Sequence, residues 1–598
     1  MPERLSPEMS GGEILTLQFG NYSNYVGAHF WNFQDELLGR KQLESHALDE
    51  LHDKACSEEF QSHKLYRNLT SNRRVESTPR VLIFDVKGKL GSLNPDSMNP
   101  AIHDAHDVGA ESWTGEVSVL RSEPVRRNRF FDYLEENSFF DVADVSDKGL
   151  RDVGGKVEDE DEGKDKDEDE DEDEYIIDSV DVTSWTDFLK AKFHHRSLIE
   201  LPLFSDVDLF DNFSMGASDE IISRVQRDDY LDSFRYFLEE CDSLSCVNVL
   251  VDVHDGFSGF SQSILEDIRE EIPRVLMPVW AFTDPDGCKS GGRSLSPDGP
   301  YYGSLSLKSC NIPLFYSSMS EIATVVIPLD MSSLSSVAPY TIQSNGTFYH
   351  SSALAAAAID TSLSCCYLKN ASSATGTDLN STIRKFSGNG HFQLVQSELS
   401  FPIDHSQGFS DTTVPKERGI LTPFTTSISS ASSGPWAEAV GGVSWDSIVY
   451  TSTCFSRGLN REKLFSMTKS SSSTGHNCLT DMKNMVTPLS IPVSYPDFFY
   501  EKPEGIISST FANLQRMEGK SRQSSVYRKI SRPIDCCSLT SLGCSSVMTS
   551  HIQKVRRHWI QCTRSCDVRS AQWQKVGMTA EDRAEVSEIL HGLNSSTR

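Results

Sequence analysis

A histidine lies between two carboxylates in Asp252-Val253-His254-Asp255, at the end of the apolar run Cys246–Val253. Such groups converging on a strand end could hold a metal ion or exchange protons, because each offers a lone pair and imidazole titrates near neutrality. A loop histidine beside a strand end more often serves the structure, and that is the expectation here. A second feature is the opening GGEILTLQFGNYSNYVGAHFWNFQDELLG. Ile14, Leu15, Leu17 and Phe19 make an apolar strand, Gly20-Asn21 breaks it, and Val26, Phe30, Phe33 and Leu37 then recur with the period of one helical face. A helix that starts this way aims free N–H groups and a positive dipole end at whatever lies over the turn, often a phosphate.

Several elements must position these groups. Asp229–Glu240 reads as an amphipathic helix, Cys246–Val253 as a buried strand, His254–Gly259 as a turn and Ser261–Glu271 as a helix with Ile264, Leu265 and Ile268 on one face. Leu276–Phe282 is the next strand, Asn311–Met319 a helix-like stretch, Glu321–Leu329 an apolar segment and Ser351–Thr361 an alanine-rich helix. Trp185, Phe188, Leu189 and Phe193 keep helical spacing, and His194-His195 falls on an expected surface helix. Stretches rich in Ser and Thr, Thr425–Gly434 and Lys469–Gly475, read as loops. Near the C-terminus Met548, Ile552, Val555 and Trp559 keep helical spacing, with Lys554, Arg556 and Arg557 beside them. Thr579 and Asp582 have capping-box spacing ahead of the stripe Val586, Ile589, Leu590 and Leu593, which reads as a core face rather than a partner's docking face.

The order Gln18-x-Gly20-x-x-x-Asn24-x-x-Gly27-Ala28-x-Phe30-Trp31 resembles the start of tubulins, where it forms the first strand, the first phosphate loop and the first helix. Pro79-Arg80 followed by Asp85 is similar to the P-R-x-x-x-x-D strand of tubulins, and Ile268-Arg269-Glu270-Glu271-Ile272-Pro273 is close to their I-R-E-E-Y-P. The variant LTLQFGNYSNYVGAHFWN resembles the Misato/DML1 family of tubulin-related proteins more closely than tubulin itself. The resemblance implies an α/β fold: a tubulin/FtsZ-like domain with a parallel sheet flanked by helices, plus a divergent C-terminal α/β domain. It divides the chain into an N-terminal tubulin-like part (11–130), a disordered acidic insert (145–178), a second tubulin-like part (179–366) and a divergent C-terminal domain with Ser-rich loops and helices (367–598).

For chemistry, the resemblance implies GTP as the one cofactor to consider. Gly20, Asn21, Ser258, Gly259 and Asn311 are the residues that could remain of a degenerate nucleotide site. Tubulins carry GGGTGSG where this chain reads Val253-His254-Asp255-Gly256-Phe257-Ser258-Gly259, and Tyr22-Ser23 replaces their Cys-Gly. Side chains at those positions restrict close backbone approach, and Asp255 brings like charge to a polyphosphate. The acidic loop N-x-D-x-x-E used in tubulin hydrolysis has no counterpart after the alanine-rich helix; Thr377-Asp378-Leu379-Asn380 comes nearest, in the wrong order. No catalytic or metal-binding residue is therefore assigned. The resemblance implies a non-enzymatic role in mitochondrial distribution, morphology and partitioning, linked to microtubules, tubulin or tubulin-handling complexes. The alternative is a GTP-binding protein with slow GTPase activity.

Composition narrows the remaining classes. The chain has 598 residues and a net charge of −30, of which the run Glu158–Glu174, fourteen acids and two lysines, supplies −12. The rest is acidic too, which argues against a nucleic-acid partner, since backbone binding needs clustered Lys and Arg. No apolar run is long enough for a transmembrane segment, and the first residues lack the pattern of a secretory or transit signal. The expected location is cytoplasmic, with peripheral association at the mitochondrial outer surface. Fourteen cysteines are scattered along the chain. The densest group, Cys536, Cys537, Cys544, Cys562 and Cys566 with His551 and His558, lacks the paired spacing of zinc ligands and reads as free thiols. The acidic run has too little apolar surface to fold, so it is expected to stay solvated and dispensable for folding.

Overall fold

The computed structural model describes residues 12–47, 59–71, 74–91, 130, 182–204, 210–225, 227–283, 310–331, 347–369, 383–384, 386, 393–403, 422–423, 449–459, 479–496, 534–564 and 578–596. The acidic insert, Thr377–Asn380, Thr425–Gly434, Lys469–Gly475 and Cys566 lie outside the described residues.

Seven strands form the central sheet. They are β1 (Glu13–Phe19), β2 (Val81–Lys87), β3 (Leu198–Phe204), β4 (Leu244–Asp252), β5 (Pro278–Thr283), β6 (Val325–Asp330) and the short β7 (Gln393–Leu394). Their spatial order is β7-β6-β5-β4-β1-β2-β3, and every neighbouring pair is parallel. The inner strands are apolar on both faces, as a sheet covered on two sides requires. Thus Leu15, Leu17 and Phe19 of β1 enter one core while Ile14 enters the other.

Eight helices matter to the argument: α1 (Asn21–Ala47), α2 (Phe213–Gly216), α3 (Arg227–Glu239), α4 (Phe257–Glu271), α5 (Asn311–Ile322), α6 (Phe348–Tyr367), α7 (Ser546–Arg564) and α8 (Ala580–Ser596). α1 and α6 pack on one face of the sheet, with α3, α4, α5, α7 and α8 on the other. α1 departs from its expected one-sided pattern. Every residue from Tyr22 to Gln34 is buried, because the alanine run Ala355–Ala358 lets α6 come close on one side and a strap formed by residues 182–197 crosses another. A helix buried all round belongs to the centre of a protein.

That strap is not the helix that the spacing of Trp185, Phe188, Leu189 and Phe193 predicts. It makes a 3-10 turn, Trp185–Phe188, closed by a capping box of Ser184 and Asp187, and then leaves helical geometry until His195. Its backbone bonds go to α1 instead: Asn32 Oδ1 accepts the Lys190 N–H at 2.8 Å, and Asn32 Nδ2 donates to the Phe188 carbonyl at 2.9 Å. His194-His195 likewise leads only into the 3-10 turn His195–Ser197, with the His194 ring stacked on Tyr236.

A second sheet follows directly, since Val395 alone separates β7 from β8 (Gln396–Ile403). With β9 (Val449–Arg457), β10 (Leu479–Met485) and β11 (Ile534–Ser545) it places β11 in the middle, antiparallel to β8 and β9, while β9 and β10 are parallel. α6 lies against it as well as against α1. At that junction Asp360 of α6 forms a salt bridge with Arg457 of β9, both side chains fully buried. Gln34 and Tyr367 donate to the other Asp360 oxygen, and Arg457 also donates to the Pro488 carbonyl at 2.8 Å.

The C-terminal helices return to the first sheet. Met548, Ile552, Val555 and Trp559 of α7 and Val586, Leu590 and Leu593 of α8 join the core of α5, while Lys554 and Arg557 face outward. The stripe on α8 is a core face, and Thr579 and Asp582 make the reciprocal bonds of a capping box, at 3.2 and 2.7 Å. Cys536, Cys537 and Cys544 lie on β11 and Cys562 on α7, all as free thiols. Among the described residues no helix is long and apolar enough to cross a membrane.

The buried ion pair generates a prediction. Arg457→Met strands the Asp360 charge and should cost about 3–5 kcal/mol, whereas Asp360→Asn combined with Arg457→Met should cost less. Chemical denaturation of the three proteins checks this; a double variant that loses at least as much as the single one contradicts it.

Candidate functional site

In parallel α/β sheets the crevice for ligands lies beyond the carboxyl ends of the strands. Here β1 ends at Phe19, Gly20 takes φ +103°, and α1 begins at Asn21. The Gly20 N–H donates to the Phe84 carbonyl at 3.1 Å, which ties the turn to β2. The Gln18 side chain lies beneath Gly27, where an added Cβ would come within 2.2 Å of Gln18 Oε1. Asn24 donates to Asp85 Oδ2 at 2.8 Å. The spaced residues of the opening motif therefore find partners: Gln18 meets Gly27, and Asn24 meets Asp85 within β2, the strand that follows Pro79-Arg80.

The first turn of α1 faces Asp252, the last residue of β4. The Tyr22 N–H donates to Asp252 Oδ2 at 2.8 Å, and the N–H and hydroxyl of Ser23 donate to Oδ1 at 2.8 and 2.7 Å. A helix start leaves its first N–H groups without intrahelical partners and favours negative charge there. The chain's own carboxylate meets both needs. Tyr22 closes the neighbouring space: its ring packs edge-on against Phe282 and Phe348 at 5.5 and 5.2 Å, and its hydroxyl reaches Ser351 Oγ at 3.1 Å.

The loop after β4 is closed from the other side. α4 begins at Phe257, so Ser258 and Gly259 are helical rather than part of the expected turn. The Phe257 N–H donates to Asp255 Oδ1 at 2.9 Å, Ser258 Oγ to the Asp255 carbonyl at 2.6 Å, and the Gly256 N–H to the Phe210 carbonyl at 3.2 Å. α2 lies across this helix start. A Cβ on Gly259 would come within 1.9 Å of the Phe213 carbonyl oxygen, and one on Gly216 within 1.7 Å of the Gly256 oxygen. The glycines thus serve a close helix crossing. Asn311, fully buried, holds the same segment: its Oδ1 accepts the Phe213 N–H at 2.9 Å and its Nδ2 donates to the Asp211 carbonyl at 3.1 Å.

Of the expected site residues, Gly20 and Asn21 lie at the start of α1, while Ser258, Gly259 and Asn311 gather around α2 and the start of α4. Asp252, His254 and Asp255 do come together, with ligand-type atoms within 4.8 Å of one another. Both Asp252 oxygens, however, are turned to α1. Sequence reasoning missed the pairing of Asp252 with Tyr22 and Ser23, which are 230 and 229 residues away. It also missed the segment Phe210–Gly216, which carries no motif.

Burial sets the charge state of the two acids beside α1. It pushes Asp85 up from 3.8 to about 6, against the pull of Asn24, Val86 and Trp185 as donors. It pushes Asp252 up to about 7, opposed by the Ser23 hydroxyl and the two N–H groups, with Asp85 adding to the rise. A folded-state pKa above the unfolded value means that the native state binds the proton more tightly. This contribution to stability is complete below about pH 4 and is lost as pH rises through about 6 to 7. Asp85→Asn should remove its part of that slope, a change on the order of 1–3 kcal/mol across the interval. Denaturation series from acid to mildly alkaline pH check this, and parallel profiles for the two proteins contradict it.

Comparison with known proteins places the fold. Residues 12–136 match the Misato segment II tubulin-like domain, and residues 176–367 match a tubulin domain. The chain is 26% identical to Protein DML1 of Gibberella zeae over 396 residues, 65% of this chain and 67% of that one. It is 26% identical to Protein misato homolog 1 of Mus musculus over 433 residues, covering 70% and 69% of the two chains. Against the Homo sapiens protein of the same name the match is 27% over 280 residues, 46% of either chain. With both domains in sequence on a parallel sheet whose motif residues pair as described, the chain belongs to the Misato/DML1 family of tubulin-like proteins.

Proposed function

We propose that this protein is a non-enzymatic member of the tubulin fold that organises mitochondria, acting in their distribution, morphology and partitioning through tubulin or tubulin-handling complexes. It works from the cytoplasm with a peripheral fraction at the mitochondrial outer surface. Family membership supports the tubulin-related and mitochondrial part of this reading, and the geometry at the carboxyl edge of the sheet supports the non-enzymatic part.

The observation that carries it is the closure of both helix starts by the chain's own acceptors. Asp252 takes the Tyr22 and Ser23 N–H groups of α1, and Asp255 and Phe210 take those of Phe257 and Gly256 at α4. The tubulin resemblance implies a guanine nucleotide, and these residues do not fit one. A phosphate over α1 would stand against the Asp252 carboxylate, and two like charges about 4 Å apart repel by about 4 kcal/mol at a partly solvated site. Gly259, which would let a phosphate approach the backbone, already touches the Phe213 carbonyl, and both polar ends of the Asn311 amide are bonded to 211–213. With those groups already bonded within the chain, no hydrolytic step is assigned to any residue.

Protein purified without added nucleotide, then denatured and assayed for released guanine nucleotide, tests the reading. Far less than one nucleotide per chain is expected. A stoichiometric amount would overturn the reading in favour of a GTP-binding protein with slow hydrolysis.

A further inference from the structure

Asp252 accepts from three donors, the N–H of Tyr22 and the N–H and hydroxyl of Ser23, spread over both of its oxygens. All three contacts are accepted bonds, the pattern that an ionised carboxylate satisfies with both oxygens, and above about pH 7 Asp252 carries that charge. The carboxylate also occupies the hollow of the glycine turn. Gly20 has φ +103°, and a Cβ there would come within 2.5 Å of Asp252 Oδ2. Consecutive backbone N–H groups at a helix start, over a glycine turn, are the cradle in which proteins hold an oxyanion.

We propose that Asp252 is a built-in anionic ligand, whose carboxylate takes the place of a bound phosphate on the first turn of α1 and orders that helix without any nucleotide. The inference rests on the nucleotide-free reading above. Because Asp252 is carried by β4, the strand beside β1, the anion is delivered by the fold and never dissociates. Tethering makes its binding intramolecular, so the order of α1 does not follow the supply, exchange or hydrolysis of a nucleotide. Asp255 does not play this role: its bond to the Phe257 N–H is a local turn within its own loop.

Asp252→Ala in the full chain tests the proposal, with thermal melts at mildly alkaline pH in formate, in formamide and in chloride of equal ionic strength. Formate restores the missing carboxylate, formamide only its shape. The variant should lose roughly 2 °C or more in Tm, and formate should restore it saturably while formamide and chloride do not. Asp252→Asn, which keeps the shape, should be blind to formate. A formate-blind Ala variant, or equal rescue by formamide, overturns the proposal. If Asp252→Ala does not fold, recovery on dilution from denaturant is compared in the same additives. Greater recovery in formate supports the proposal, and equal recovery overturns it. Stoichiometric guanine nucleotide in the wild-type protein would instead overturn the functional reading itself, whatever formate does.

Discussion

One bonding requirement underlies this fold. The first N–H groups of α1 open into the interior, where Tyr22 and Ser23 are fully buried, so water cannot satisfy them. An unpaired buried N–H costs about 1–3 kcal/mol, and a bond to a charged acceptor is stronger than one between neutral groups. Asp252 answers this at the end of the neighbouring strand, and the packing continues from there. Once α1 is fixed, Asn24 meets Asp85, Asn32 holds the strap 182–197 through its backbone, and Gln34 reaches the Asp360–Arg457 pair that joins α6 to the second sheet. A short run of polar contacts along one buried helix thus links both sheets and the crossover between β2 and β3.

The same architecture uses its glycines differently from a phosphate-binding protein. A glycine-rich loop leaves backbone free for a ligand, whereas here Gly256, Gly259 and Gly216 are spent on contacts among Phe210, α2 and α4. Tyr22, Phe282 and Phe348 fill the adjoining space with aromatic edges. Tyr22 and Phe282 are fully buried and Phe348 partly so, and full burial of a side chain such as Phe contributes about 1.5–3 kcal/mol. Burial of these rings stabilises the crevice from within the chain. The proposed function keeps the fold and changes the chemistry of the site, which is possible because function resides in particular groups placed on a common scaffold.

Much of this was legible in the sequence, and for identifiable reasons. The strand–turn–helix at Gly20, the apolar runs that became β4 to β6, the alanine-rich α6 and the capping box at Thr579 all rest on local periodicity or turn chemistry. What escaped depends on distant partners. The spacing of Trp185, Phe188, Leu189 and Phe193 suggested a helix, but Asn32 of α1 takes the backbone N–H of Lys190 and dictates an extended path. Val26, Phe30, Phe33 and Leu37 marked only one side of a helix that is buried on all sides. The local sequence marks Gly259 as a turn residue able to approach a phosphate, whereas Phe213, from a segment without any motif, determines its use. Asp252 stood out beside His254, yet its partners lie more than two hundred residues earlier.

The central claim is that the start of α1 is ordered by the chain itself. Hydrogen exchange at the amides of Tyr22 and Ser23, followed in the wild-type protein with and without GTP and magnesium, addresses it most directly. The account predicts strong protection in the absence of nucleotide and no change on its addition. Rapid exchange that becomes protected only when GTP is present would contradict it.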